Sequence, residues 1–251
     1  MVDPRTELLR YLRQQEQMYG RTLYVDNVER PVRSLPPSQP EPEVVLAENL
    51  PQTTPAMEVA SSMGHEDVTS LEQFNTKICG CLKCPLGATR TNFVFGSGNA
   101  NADIMVIGEA PGADEDEQGL PFVGRAGQLL TKILESVELQ RDDVYICNIL
   151  KCRPPNNRKP LASETDQCEP YLWKQIELIK PKFILALGLT AANTLLKNKE
   201  SMTQLRGRIH DYQGIRTIVT YHPAALLRNP DWKKHTWEDV KFLRKLYQET
   251  L

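Results

Sequence analysis

Four apolar runs stand out along the chain, and each ends abruptly in polar or glycine-rich residues. Ile104–Ile107 gives way to Gly108-Glu109-Ala110-Pro111-Gly112, and Val144–Cys147 to Asn148 and then Lys151-Cys152-Arg153. Phe183–Leu187 gives way to Gly188-Leu189-Thr190, and Ile218–Tyr221 to His222-Pro223. Short apolar runs bounded by turn signals read as buried strands. They predict strands over 104–107, 144–150, 183–187 and 215–221, with helices over about 125–137, 164–179, 190–197 and 236–248 between and after them. This alternation predicts an α/β fold, with three layers, α/β/α, around a central, mainly parallel four-stranded sheet. Ligands of such sheets bind beyond the carboxyl ends of the strands. Four loaded strand ends therefore predict one crevice that holds an acid, an amide, an imidazole and several backbone amides.

The segments before this domain have a different pattern. Asp3-Pro4 opens a partly amphipathic helical segment, placed within residues 1–30, for which Gly20 is a stop signal. Residues 31–69 hold seven prolines among acids, Ser and Thr, a composition that predicts an extended, disordered linker. Residues 70–251 form the predicted compact domain, with Ser70 capping a helix that runs to Cys79. The tethered helix reads either as a loose extension or as a docking segment for a protein partner.

Charge changes the picture slightly. Residues 1–70 carry 6 basic and 11 acidic side chains, whereas residues 71–251 carry 24 basic and 21 acidic ones. The domain can thus offer local basic patches to a polyanion although the whole chain has a net charge of −2. No apolar run approaches the roughly 18 residues of a membrane span. The first residues contain no secretory apolar stretch. The expectation is a cytoplasmic monomer.

Six cysteines in such a chain point to metal or redox chemistry rather than structural disulfides. Cys81-x2-Cys84 is a metal knuckle, and Cys152 and Cys168 flank a proline-stiffened loop. By spacing alone this fits an iron–sulfur cluster, a zinc ion or unliganded thiols. Cys79 competes with Cys81 as a ligand, and Cys147 reads as a small buried hydrophobe.

Five ordered motifs add a further layer. They are Cys81-Leu82-Lys83-Cys84-Pro85-Leu86; Gly108-Glu109-Ala110-Pro111-Gly112 with Glu115-Asp116; Gly119-Leu120-Pro121-Phe122-Val123-Gly124; Asn148-x-x-Lys151-Cys152-Arg153-Pro154-Pro155; and His222-Pro223-Ala224-Ala225-Leu226-Leu227-Arg228. From about Ser70 onward the chain resembles the family 4 uracil-DNA glycosylases. The resemblance implies an α/β/α domain, excision of uracil from DNA, and a structural [4Fe–4S] cluster held by Cys81, Cys84, Cys152 and Cys168.

The resemblance also implies roles. Phe122 would stack on a uracil flipped out of the helix, and Asn148 would read the edge of the base, held in orientation by Glu115. His222 would donate to the base O2 as negative charge develops there. Glu109 ranks first and Asp116 second for handling water and the positive sugar. In better-known relatives the catalytic Asp lies one residue later, where this chain has Ala110 in the binding wall. Gly108 and Gly112 allow close backbone approach. Leu226 would fill the gap left by the flipped base. Arg228 and Arg153, with Arg125, Lys151 and Arg158, would hold phosphates. Two other readings compete: a non-catalytic iron–sulfur protein that binds uracil-containing or single-stranded DNA, and a zinc-stabilised nucleotide-binding module.

Overall fold

A computed structural model describes residues 67–250. The predicted helical segment 1–30 and linker residues 31–66 lie outside the described residues.

In chain order the elements are α1 (Leu71–Ile78), α2 (Leu86–Thr89), β1 (Ser97–Gly98), β2 (Ile104–Gly108), α3 (Ala113–Gln118), α4 (Arg125–Glu135), β3 (Tyr145–Asn148) and α5 (Ala162–Ile179). They continue with β4 (Phe183–Leu187), α6 (Leu189–Leu196), α7 (Met202–Leu205), β5 (Ile209–Tyr212), β6 (Ile215–Thr220), α8 (Pro223–Arg228) and α9 (Lys233–Gln248). Ser70 caps α1, its hydroxyl accepting from the Gln73 amide at 3.2 Å.

The sheet has six strands in the order β1-β3-β2-β4-β6-β5. The four predicted strands form its parallel centre. Two antiparallel edges extend it, β1 on β3 and β5 on β6. The sequence pattern misses both edges for physical reasons. Two residues are too few to show a period, and β5 buries only Tyr212 of its four side chains.

Alternation along the strands sets the layers, since successive strand side chains point to opposite faces. Ile104, Val106, Ile146, Phe183 and Leu185 enter one core, with Leu130 and Leu134 of α4 and Val240 and Leu243 of α9. Met105, Ile107, Tyr145, Cys147, Ile184 and Ala186 enter the other, with α1, α5 and α6. Both faces of the parallel strands are thereby covered, which is why they read as unbroken apolar runs. Register places the loaded ends together: Gly108 of β2 pairs with Asn148 of β3, and Leu187 of β4 pairs with Thr220 of β6. Among the described residues no helix is long and apolar enough to cross a membrane.

Candidate active site

A cavity of about 470 Å³ opens at the carboxyl ends of β2, β3 and β6, lined by Glu109, Phe122, Asn148, His222 and Arg228 among others. Three of the four predicted strand ends thus meet in one continuous space, whereas Gly188-Leu189-Thr190 after β4 do not line it. Its floor is pinned where the chain leaves β3: the amides of Ile149 and Leu150 donate to the carbonyls of Gly108 and Glu109 at 3.0 and 3.1 Å.

Gly108 lets three elements converge. A Cβ at that position would lie 2.3 Å from Asn148 Oδ1 and 2.6 Å from Phe122 Cζ. Asn148 is buried, and its Oδ1 has no hydrogen-bond partner in the protein. An orphaned buried acceptor costs about 1–3 kcal/mol, so a donor brought by a guest would stabilise it.

Phe122 has a φ of +53°, an unusual backbone state for a bulky residue. Its surroundings hold it there. Arg141 donates to the carbonyls of Pro121 and Phe122 at 3.0 and 3.2 Å. Glu115 Oε1 accepts from the amides of Val123 and Gly124 at 2.9 and 3.0 Å, and its Oε2 accepts from Gly112 at 3.1 Å. Gly127 supplies the room, since a Cβ there would collide with the Phe122 carbonyl. The ring then faces the His222 imidazole at 5.6 Å between centroids. Sequence reasoning missed Arg141 and Gly127; a glycine inside the amphipathic α4 was the available signal.

His222 follows β6 and precedes Pro223, which opens α8. Its Nδ1 accepts from the Ala224 amide at 3.1 Å, so in the neutral ring Nε2 carries the proton and is the donor. Burial, and then the Arg228 guanidinium, lower its pKa to about 4. The imidazole is therefore neutral at physiological pH.

The predicted carboxylates divide. Glu109 lines the cavity. Asp116 is not brought to it: buried at the far side of α3, its Oδ1 accepts from the amides of Thr91 and Asn92 at 2.9 and 3.3 Å. Glu115 lines the cavity but does not orient Asn148, because its oxygens are committed to the three loop amides. Ala110 and Gly112 contribute to the wall as expected.

The DNA-facing assignments also change. Leu226 is fully buried, whereas its neighbour Leu227 is exposed. The periodicity of α8 turns one inward and the other outward, so Leu227 is the apolar side chain that this helix presents to solvent. Arg125, Arg158 and Arg228 line the cavity. Arg153 does not; its Nε donates to Asn157 Oδ1 at 2.8 Å within its own loop. Arg158 is held against Glu164 at 2.6 Å. Lys151 lies in the interior rather than at the rim.

The cysteines form a second polar centre. Cys152 and Cys168 are buried, and Cys81 and Cys84 are partly so. Tyr171 Oη and the Lys83 amide donate to Cys81 Sγ at 3.2 and 3.5 Å, Arg90 donates to Cys152 Sγ at 3.3 Å, and the Lys151 amide donates to Cys168 Sγ at 3.3 Å. Burial raises the Cys152 thiol, Arg90 opposes, and Cys84 and Cys81 raise it further. Burial pushes Cys168 up to about 12, with Lys151 opposing and Cys152 and Cys84 adding to it. Cys79 is exposed and turned to the Thr76 carbonyl. Among the described residues no three His, Cys, Asp or Glu side chains converge as around a single ion. Cys147 is buried in β3.

Residues 95–246 match the uracil DNA glycosylase superfamily. A type-4 uracil-DNA glycosylase of Archaeoglobus fulgidus is 42% identical over 185 residues, covering 70% of this chain and 93% of that relative. One from Sulfurisphaera tokodaii is 45% identical over 70% of this chain and 84% of its own. One from Thermotoga maritima is 47% identical over 63% and 84% respectively.

Proposed function

The chain belongs to the uracil DNA glycosylase superfamily, and we propose that it flips uracil out of DNA and hydrolyses the N-glycosidic bond, leaving an abasic site. The observation that carries this reading is the buried, unpartnered Oδ1 of Asn148 beside Phe122 and His222. Uracil N3–H donates to Oδ1, and the amide Nδ2 donates to O4. Cytosine would set its own N3 acceptor against Oδ1, so the fixed amide selects uracil. Phe122 covers the face of the base.

As the C1′–N1 bond breaks, its electron pair stays with the base and spreads to O2. His222 Nε2–H donates a hydrogen bond to that oxygen. The imidazole stays neutral, so uracil leaves as an anion rather than by proton transfer from His222. The Glu109 carboxylate offsets positive charge on the sugar and takes the proton of the water that adds to C1′. Leu227 enters the gap in the base stack, and Arg228, Arg125 and Arg158 meet phosphates.

The residues present also fit the [4Fe–4S] cluster implied by the resemblance, with Cys81, Cys84, Cys152 and Cys168 as its ligands. Support comes from the donors aimed at three of the sulfurs and from the burial of Cys152 and Cys168, whose thiolates a cationic centre would stabilise. The cluster would act as a structural tie and takes no part in the steps above. Arg90 shows how the tie extends: it donates to the carbonyls of Cys79 and Cys81 as well as to Cys152, and the next two residues bond Asp116 of α3.

A single-uracil oligonucleotide in excess over protein, followed by alkali to cut abasic sites, tests the activity. Multiple turnovers are expected, with Glu109→Gln and His222→Ala each slowed by roughly 100-fold or more. Tight binding without product would instead favour a non-catalytic reader. Wild-type rates in both variants would overturn the assigned roles.

A further inference from the structure

The approach to α9 carries an aromatic side chain that the steps above do not use. Trp232 ends the short turn Pro230–Trp232 between α8 and α9, and it is 37% exposed. Its ring stacks on Tyr221, with 4.7 Å between centroids and 22° between planes. Tyr221 immediately precedes His222 in the chain, so the aromatic pair is tied directly to the cavity wall. The pair is also held from within. The Arg206 guanidinium lies over the Tyr221 ring at 4.9 Å. Asp239 fixes that guanidinium through Nε and Nη2 at 2.7 and 2.9 Å, and it accepts from Thr220 Oγ1 at 2.7 Å. Trp232 is thus the outer layer of a stack whose inner layers are fixed.

The surroundings say what the outer face suits. Residues 228–234 hold Arg228, Lys233 and Lys234 against one acid, Asp231. All four are exposed, and among the described residues none of them forms a salt bridge. Trp237 is exposed as well, but Lys241 covers its ring at 5.4 Å. Among the described residues no cation lies over Trp232. An open aromatic face among unpaired cations matches a single nucleic-acid strand, whose bases stack while its phosphates meet the charges.

We propose that Trp232 is a stacking platform for an unpaired base beside the uracil nucleotide, and that it makes the protein favour single-stranded over duplex DNA. This deepens the proposed glycosylase activity and rests on it. The strand that places uracil in the cavity runs past Leu227 and Arg228, the groups given above to DNA, and on to the indole. In a duplex the neighbouring base is already paired and stacked, so the platform adds little. In a single strand that base has no such partners, and the indole supplies one.

Single-turnover excision by the full chain, over a range of protein concentrations, tests this on one uracil oligonucleotide, alone and annealed to its complement. The half-saturating concentration reports binding, and the rate at saturation reports chemistry. In Trp232→Leu, half-saturation on the single strand should rise on the order of 10-fold, against less than about twofold on the duplex. The rate at saturation should not change on either. Trp232→Phe, which keeps an aromatic face, should recover most of the loss. In the unmodified protein, flanking bases are also replaced one at a time by abasic tetrahydrofuran residues. Replacement at one position should weaken single-strand binding as Trp232→Leu does, and in that variant it should cost nothing further.

Equal weakening on single strand and duplex would overturn the proposal and make Trp232 a general DNA contact. A slower rate at saturation with unchanged half-saturation would overturn it too, leaving the indole a support for Tyr221 and His222. Unchanged binding of the single strand would overturn it and leave the face to a protein partner. If Trp232→Leu does not fold, the abasic series and Trp232→Phe decide, and a series with no sensitive position would overturn the proposal. Absence of excision from either substrate by the unmodified protein would sink the glycosylase reading itself, a result distinct from all of these.

Discussion

In the cysteine centre, three of the four sulfurs are already met by donors from Tyr171, Lys83, Arg90 and Lys151, whereas in the cavity the buried Oδ1 of Asn148 has no partner at all. The contrast separates two kinds of site. A place for a resident group is finished by the chain, because its donors must be there whenever the protein is folded. A place for a transient guest leaves one valence open, and the free energy lost there in the empty protein is recovered only when uracil arrives. Phe122, with its positive φ, stands on the guest's side and is held by Arg141, Glu115 and Gly127.

Substitutions at the two sites should therefore have opposite effects on stability. The largest effect is expected for Cys152→Ser, which should abolish the visible absorption of the proposed cluster and cost at least about 3 kcal/mol, roughly 10 °C in Tm for a domain of this size. Spectra and thermal melts of the purified variant check this, and an unchanged melt would remove the contrast. Asn148→Leu should lose roughly 100-fold or more in uracil excision yet leave Tm unchanged or raised, because it deletes an unsatisfied buried acceptor. A Tm loss as large as that of Cys152→Ser would mean that Asn148 is a structural residue too.

The last effect concerns pH, and it is spread over a range of conditions. The pKa of His222 is about 4 in the folded protein and about 6.5 when unfolded. Between these values the unfolded chain binds the proton more readily, so the contribution of His222 is full above pH 6.5. It declines as pH falls towards 4, by about 3 kcal/mol in all. Denaturant melts across this range should show the decline and should lose that part of it in His222→Asn. A decline identical in both proteins would show that the histidine is not buried as a neutral ring.

Much of the fold was legible because its signals are local. Each of the four central strands is an apolar run covered on both faces, and the helices between them carry their own periodicity. The edges were not legible: β1 has two residues and β5 a largely solvent-exposed face, so neither bears the mark of burial. The site divides similarly. Glu109, Phe122, Asn148 and His222 were found because each stands at a strand end or in a glycine-rich loop and within a motif. Asp116, Glu115, Leu226 and Lys151 were misplaced in role because motif membership says nothing about where a side chain points. One step along α8 separates buried Leu226 from exposed Leu227.

The sequence by itself determined the α/β class, the strand ends that carry chemistry, the cysteine pairs and the family. All of these depend on residue order and short-range pattern. Only the tertiary structure decided which polar atoms are satisfied. Whether Asn148 Oδ1 is left open, Asp116 spent on Thr91 and Asn92, or Lys151 buried against Gln175 depends on partners up to 25 residues away in sequence. Hydrogen bonding and burial are properties of what folding brings into contact, so the line between a residue that builds the site and one that acts in it is drawn in space.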